Sequence, residues 1–106
     1  MLYRSHRPGE IGPTITGRVV LDEHGLRLGS VTDVVYRADS HDPEFLVVRP
    51  GPLRRSHYVP AAGACQTMDG EIVVPWDRDW FRLAPTGGKT VSPARRTAIA
   101  VHYTRR

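Results

Sequence analysis

The fold is decided by residues 44–49, which read EFLVVR. Phenylalanine, leucine and two valines follow one another without a polar interruption, and Pro50, Gly51 and Pro52 end the run. Aromatic and β-branched residues favour a short strand. A strand with one solvated face alternates apolar and polar residues, so an unbroken apolar run predicts a strand that is covered on both faces and central in its sheet.

Further short β-like runs, separated by turn signals, lie on both sides of this strand. Residues 28–36 come before it and predict a hairpin with it across a polar loop. Gly25 and the pair Asp69-Gly70 suit two further tight turns. The other predicted strands cover residues 15–21, 57–60, 64–68 and 71–74. Five or six such strands predict an all-β fold, a small β-barrel of antiparallel strands whose closure hides the sheet edges.

The C-terminal part of the sequence has a different pattern. Residues 77–83 predict a short helical segment. Ser92 and Pro93 form a favourable helix start, because serine caps the first turn and proline suits the first helical position. We therefore expect a C-terminal helix over residues 94–103, although residues 97–103 alternate well enough for a strand.

Length and composition limit the class of protein. A chain of 106 residues suits one domain with one core. The single cysteine, Cys65, excludes an internal disulfide and fits a reducing compartment. No apolar run has the length of a membrane span, and the first residues lack the apolar part of a secretory signal. These features predict a soluble cytoplasmic protein.

The net charge of +4 is unevenly distributed along the chain. Residues 16–88 hold eight arginines and ten acidic residues, whereas residues 89–106 hold five cations and no acidic residue. A role in nucleic-acid binding would therefore depend mainly on the C-terminal segment, with Arg95 and Arg96 as candidate contacts.

A second candidate binding group flanks one predicted loop. Arg49, Arg54, Arg55 and His57 lie on either side of it or within it, and loops of this kind are exposed. These side chains could meet an acidic partner or phosphate groups, and a solvated polar loop is the alternative interpretation.

Trp76 and Trp80, together with Phe81, form a third candidate group. Tryptophan often anchors protein interfaces, so the rings could form an exposed docking patch. The alternative, which we favour, is that this segment folds its rings over one opening of the barrel and completes the core.

The sequence contains no recognisable catalytic or metal-binding group. Nucleophilic catalysis needs a serine, cysteine or threonine beside an oriented base. Cys65 lies in a predicted strand, where a small buried residue is expected. The five histidines are scattered, and no two are three or four residues apart. We therefore predict that the protein is not an enzyme and uses no cofactor or metal.

Several motifs occur in a characteristic order. Residues 17–20 (GRVV), Gly25 and residues 28–34 (LGSVTDV) form a strand-turn-strand pattern, and residues 45–53 (FLVVRPGPL) form a strand and turn. This order resembles the PRC-barrel family. That family includes the cytoplasmic domain of the photosynthetic reaction centre H subunit and the C-terminal domain of the ribosome maturation factor RimM.

A narrower resemblance covers the rest of the chain. The motifs that carry it are residues 57–64 (HYVPAAGA), residues 74–79 (VPWDRD), Ala84-Pro85 and His102-Tyr103. Together they are similar to soluble bacterial PRC-barrel proteins of the stress-response type. Those proteins have an acidic C-terminal helix and a glycine after the His-Tyr pair, whereas this chain has Arg95, Arg96 and Thr104.

The breaks at Pro8-Gly9 and Gly12-Pro13 predict an irregular N-terminal arm (1–15), and Gly87-Gly88 predicts a linker that precedes a basic C-terminal helix (86–106). The resemblance implies that residues 16–85 between them form a PRC-barrel domain. It also implies a non-enzymatic protein-interaction module, related to stress responses, with an unidentified protein partner and a homodimer as a further expectation. The likeness to RimM implies the alternative, an RNA- or ribosome-associated factor.

Overall fold

Six strands and two helices form the fold in residues 15–104, the part of the chain that the computed structural model describes. The strands are β1 (Val19–Leu21), β2 (Arg27–Tyr36), β3 (Pro43–Arg49), β4 (His57–Pro60), β5 (Cys65–Gln66) and β6 (Ile72–Val73), and the helices are α1 (Arg78–Arg82) and α2 (Pro93–Thr104). All eight elements lie where the sequence predicts them, with shorter bounds for β1, β5 and β6. Neither helix in these residues is long and apolar enough to span a membrane.

The ends of the sequence lie outside the described residues. This applies to the predicted N-terminal arm as far as position 14, and to Arg105 and Arg106. Ile15, the last residue of that predicted arm, is described and is buried in the core.

The strands form one mixed sheet in the order β4-β3-β2-β1-β6-β5. Neighbouring strands are antiparallel except β1 and β6, which run parallel with Val20 opposite Ile72. Within the described residues the end strands β4 and β5 do not pair with each other, so the sheet is not closed into a barrel. This corrects the prediction of a closed, fully antiparallel barrel. β5 and β6 have only two residues each, so this end of the sheet has few backbone groups that could pair with β4 and close a barrel.

The outer edge of β4 is covered by the segment that follows α1. Thr86 forms a β-bridge with His57. The Tyr58 N–H donates to the Pro85 carbonyl at 3.2 Å, and the Gly87 N–H donates to the Ser56 carbonyl at 3.1 Å. These bonds satisfy groups that an open edge would offer to another chain, so this edge is protected without barrel closure.

β3 separates two hydrophobic clusters, and its apolar run is buried on both faces. Leu46 and Val48 belong to the first cluster, which also contains buried residues of β1, β2 and β6. Phe45 and Val47 belong to the second, which contains Ile99 of α2. Because β3 also lies between β2 and β4, the predicted central position is confirmed.

The C-terminal segment is a helix and not a strand. The hydroxyl of Ser92 accepts a hydrogen bond from the Arg95 N–H at 3.1 Å, which confirms the predicted cap. Ile99 and Tyr103 are buried, whereas Val101 between them is 45% exposed. A strand would place all three side chains on one face, so the burial follows the helical period.

Gly29 allows the chain after β3 to pass close to β2. A Cβ atom at this position would collide with the carbonyl group of Arg49 and would also crowd Pro50. Only glycine leaves room for this approach. The contact fixes the point at which the loop between β3 and β4 leaves the sheet.

Candidate partner-binding surface

The loop between β3 and β4, residues 50–56, presents an apolar side chain next to two positive charges. Leu53 is 98% exposed, and Arg54 and Arg55 are exposed beside it. The Arg54 N–H donates to the Gly51 carbonyl at 3.1 Å, which closes a tight turn. This turn restricts the loop and so limits the orientations of the three side chains.

A cavity of about 160 Å³, the β2-side cleft, lies against one side of this loop. Its lining residues are Arg27, Ser30, Thr32, Arg49, Gly51 and Pro52. The guanidinium group of Arg27 donates to the Pro50 carbonyl at 3.4 Å and to the Ser30 hydroxyl at 3.1 Å. Ser30 is the register partner of Arg49 in the β2–β3 ladder. The hairpin therefore brings Arg27 and Arg49 to the same cavity.

A larger cavity of about 400 Å³, the helix-side cleft, lies between the loop and the end of α1. Its lining residues are Pro50, Leu53, Arg54, Arg55, His57, Arg82 and Thr86. The Nδ1–H of His57 donates to the Ala84 carbonyl at 2.7 Å. The imidazole ring also meets the buried ring of Phe81 edge to face, with centroids 5.1 Å apart. These contacts fix β4 to the end of α1, where Arg82 lies.

Five arginines therefore surround one loop, and we call them the basic surface: Arg27, Arg49, Arg54, Arg55 and Arg82. Among the residues that the structure describes, no aspartate or glutamate lines either cleft. Within residues 15–104, none of the five guanidinium groups forms an ion pair with a carboxylate. Arginine stays charged at every physiological pH, so this surface is positive and suits an anionic ligand.

Sequence reasoning identified part of this surface and missed two of its arginines. It named Arg49, Arg54, Arg55 and His57, which the structure brings together around the loop. Arg27 was missed, although a register for the predicted β2–β3 hairpin would have placed the start of β2 beside the end of β3. Arg82 had no local signal, because its position depends on how α1 packs near β4.

The arginines of α2 are elsewhere. Arg96 forms an ion pair with Glu44 near the start of β3, and its guanidinium carbon lies 5.7 Å from the centroid of the Phe45 ring. Arg95 is exposed. Burial raises the pKa of the Tyr58 hydroxyl, and the charge of Arg95 partly offsets that effect. Neither arginine lines the two clefts.

Trp80 of α1, and Trp76 just before α1, both contact α2. The Nε1–H of Trp80 donates to the His102 carbonyl at 3.2 Å, and the Nε2–H of His102 donates to the Trp80 carbonyl at 2.8 Å. The two rings stack with centroids 4.6 Å apart. Trp76 meets Tyr103 edge to face, with centroids 4.8 Å apart. Both indole rings are half-buried against the second cluster, and neither lines either cleft.

Asp22 is the one charged side chain buried among residues 15–104. Its carboxylate accepts the N–H groups of His24 and Leu26, each at 2.8 Å, and that of Arg78 at 3.1 Å. Burial alone would raise its pKa, but the three backbone hydrogen bonds outweigh burial and lower it below the ordinary value of 3.8. The carboxylate thus connects the β1–β2 turn to the start of α1.

The remaining reactive groups do not assemble into a site. Cys65 was expected to be buried, but it is exposed because it lies on the short edge strand β5. In the described part of the chain, no three His, Cys, Asp or Glu side chains are placed to hold a metal ion.

A comparison of the sequence with protein-family models finds no matching model, and a comparison with curated proteins finds no match. The functional interpretation therefore depends on the geometry of the basic surface and on the sequence motifs.

Proposed function

We propose that the protein is a non-enzymatic interaction module of the PRC-barrel type, related to stress adaptation, that binds a partner protein through the basic surface. The observation that carries this proposal is the convergence of five arginines around one exposed loop, with no carboxylate from the described part of the chain lining either cleft. The order of the sequence motifs supports the assignment to the PRC type.

The physical basis is the chemistry of arginine on a rigid support. A guanidinium group binds a carboxylate through two parallel hydrogen bonds, and arginine is enriched in protein interfaces. Binding residues commonly lie on loops that a packed scaffold positions. Here Gly29 fixes the start of the loop and His57 fixes the strand that follows it. An unopposed positive surface also accelerates association with an acidic partner.

A pull-down from native lysate, with and without nuclease, tests the proposal when it compares matched variants. The double variant Arg54→Gln/Arg55→Gln removes two exposed charges from the basic surface. Arg37→Gln is the control, because Arg37 is exposed in the loop at the opposite end of the β2–β3 hairpin. We expect a protein that the wild type and the control recover despite nuclease and that the double variant loses. Equal recovery by all three chains would show that the basic surface does not bind it.

The alternative is an RNA- or ribosome-associated factor, and the same five arginines are the observation that favours it. A chain that binds RNA phosphates loses affinity steeply as the salt concentration rises. The logarithm of its binding constant falls against the logarithm of the salt concentration with a slope of about −0.7 per phosphate contact for single strands. Titration with single-stranded RNA at low and at moderate salt measures that slope. Undetectable affinity at low salt would exclude this function.

A further inference from the structure

Leu53 is an exposed apolar residue on the basic surface, and the positive charge of that surface does not explain why it is there. Its side chain is 98% exposed, and it lines the helix-side cleft together with Arg54, Arg55 and Arg82. A leucine in that position adds nothing to the binding of phosphate or of an isolated carboxylate. It does offer an apolar contact beside the positive charges of the helix-side cleft.

The β2-side cleft has the chemistry of a carboxylate site. Arg27 and Arg49 supply guanidinium groups, which match the planar geometry of a carboxylate. The Ser30 hydroxyl accepts a hydrogen bond from Arg27 at 3.1 Å and keeps its own proton to donate. The volume of about 160 Å³ is below the roughly 300 Å³ at which small-molecule pockets begin. It therefore suits one anionic side chain better than a whole metabolite.

The loop itself connects the two clefts. Gly51 and Pro52 line the β2-side cleft, whereas Pro50 and Leu53 line the helix-side cleft. A ligand that crosses the loop would therefore reach Arg27 and Arg49 in the β2-side cleft, and Leu53 with its neighbouring arginines in the helix-side cleft.

We propose that the basic surface recognises an extended acidic segment of the partner protein, in which carboxylate side chains flank an apolar residue. The carboxylates bind Arg27 and Arg49 on one side of the loop and Arg54 and Arg55 on the other. The apolar residue packs on Leu53. This inference rests on the proposed function, since it specifies the partner of the same surface.

The lining of the clefts favours a peptide over RNA. Single-stranded nucleic acid is bound by aromatic rings on which the bases stack, together with positive charge. Among residues 15–104, no phenylalanine, tyrosine or tryptophan lines either cleft, and Trp76 and Trp80 pack against the second cluster instead. The described lining thus offers positive charge and a leucine, and the imidazole of His57 in that lining already packs edge to face on Phe81.

Fluorescence anisotropy with the full chain tests this inference. The probe is a labelled peptide Gly-Glu-Glu-Leu-Glu-Glu-Gly, and its companions replace every Glu by Gln or the Leu by Ser. An oligouridylate of equal charge is the nucleic-acid probe. The protein variants are Arg49→Gln for the β2-side cleft, Arg54→Gln/Arg55→Gln for the helix-side cleft, Leu53→Ser for the apolar contact and Arg37→Gln as control. All the substituted residues are exposed, so thermal unfolding should match the wild type.

We expect the Glu peptide to bind about a hundredfold more tightly than the Gln peptide, because the charge-assisted hydrogen bonds on both sides of the loop are lost. Arg49→Gln and the double variant should each weaken the Glu peptide by about tenfold, and Arg37→Gln should not. Leu53→Ser should weaken the peptide that contains Leu and leave the Ser peptide unchanged.

Three outcomes would overturn the inference. These are equal binding of the Glu and Gln peptides, tighter binding of the oligouridylate than of the Glu peptide, and equal losses in Arg37→Gln and in the double variant. If the pull-down still recovers a nuclease-resistant protein through the basic surface while the Glu peptide fails, the proposed function stands and this inference falls. If the pull-down recovers no such protein and the Glu peptide does not bind, the proposed function and this inference both fail.

Discussion

The arginines of the basic surface and those of α2 differ in what surrounds them. Arg96 is held by Glu44 and lies over Phe45, so it contributes to the attachment of α2 to β3. Arg54 and Arg55 are exposed beside Leu53 and, within the described residues, have no carboxylate partner. The same residue type therefore supports the fold in one region and remains available to a ligand in the other.

α1 connects the two regions, because its side chains face both. Arg82 lines the helix-side cleft, whereas Trp80 is hydrogen-bonded to His102 of α2. We therefore expect substitutions in α2 to change mainly the free energy of unfolding, and substitutions in the basic surface to change mainly binding.

The largest expected effect is in α2. Ile99 is fully buried in the second cluster. Replacing a buried isoleucine by alanine removes apolar contacts and leaves a cavity, so Ile99→Ala should lower the free energy of unfolding by about 2–5 kcal/mol. Urea unfolding followed by circular dichroism measures this change.

Val101→Ala is the matched control, since Val101 lies on the same helix and is 45% exposed. Its effect should be about 0.5 kcal/mol or less. Equal losses in the two variants would mean that α2 does not pack through Ile99 as described, and the contrast between the two regions would fail.

The second effect concerns Asp22, which holds the start of α1. Its pKa is lower in the folded chain than the ordinary value of 3.8. The sign follows from linkage, because a carboxyl with a lowered pKa stabilises the fold above its unfolded pKa and loses that contribution as the pH falls through the folded pKa. Asp22→Asn should therefore lower the free energy of unfolding by about 1–3 kcal/mol at neutral pH, where the charged acceptor is lost.

Urea unfolding at a series of pH values from about 6 down to 3 checks the sign of this effect. The wild type should lose stability toward the acid end, and the difference from Asp22→Asn should shrink there. A constant difference across the series would show that the charge on Asp22 does not stabilise the folded chain.

The local parts of this fold could be predicted from the sequence, since they depend on neighbouring residues. The unbroken apolar run of β3 predicted that this strand is buried on both faces, and Ser92 predicted the start of α2. The parallel pairing of β1 with β6 could not be predicted, because it joins Val20 to Ile72, which are far apart in the sequence. Barrel closure was expected because open edges are a liability, but segment 85–87 covers the edge of β4 instead.

The candidate surface follows the same rule: its locally encoded part could be predicted from the sequence, and the part that depends on tertiary packing could not. Arg49, Arg54 and Arg55 are close in sequence, so the loop identified them. Arg82 depends on tertiary packing, for which the sequence carries no local signal. Cys65 was misjudged because a strand position alone does not indicate whether that strand lies at an edge.

The smallest expected effect sharpens the comparison most directly, because it substitutes the same residue type in both regions. Arg96→Gln removes the ion pair with Glu44, whose side chain is 20% exposed, and should lower the free energy of unfolding by about 0.5–1 kcal/mol. Arg54→Gln removes an exposed charge with no carboxylate partner in residues 15–104, and should change stability by less than about 0.5 kcal/mol. A double-mutant cycle with Glu44→Gln isolates the pair, and its coupling should account for most of the Arg96 effect. Zero coupling would mean that Arg96 is as available as Arg54, and the basic character of α2 would then again be a candidate for ligand binding.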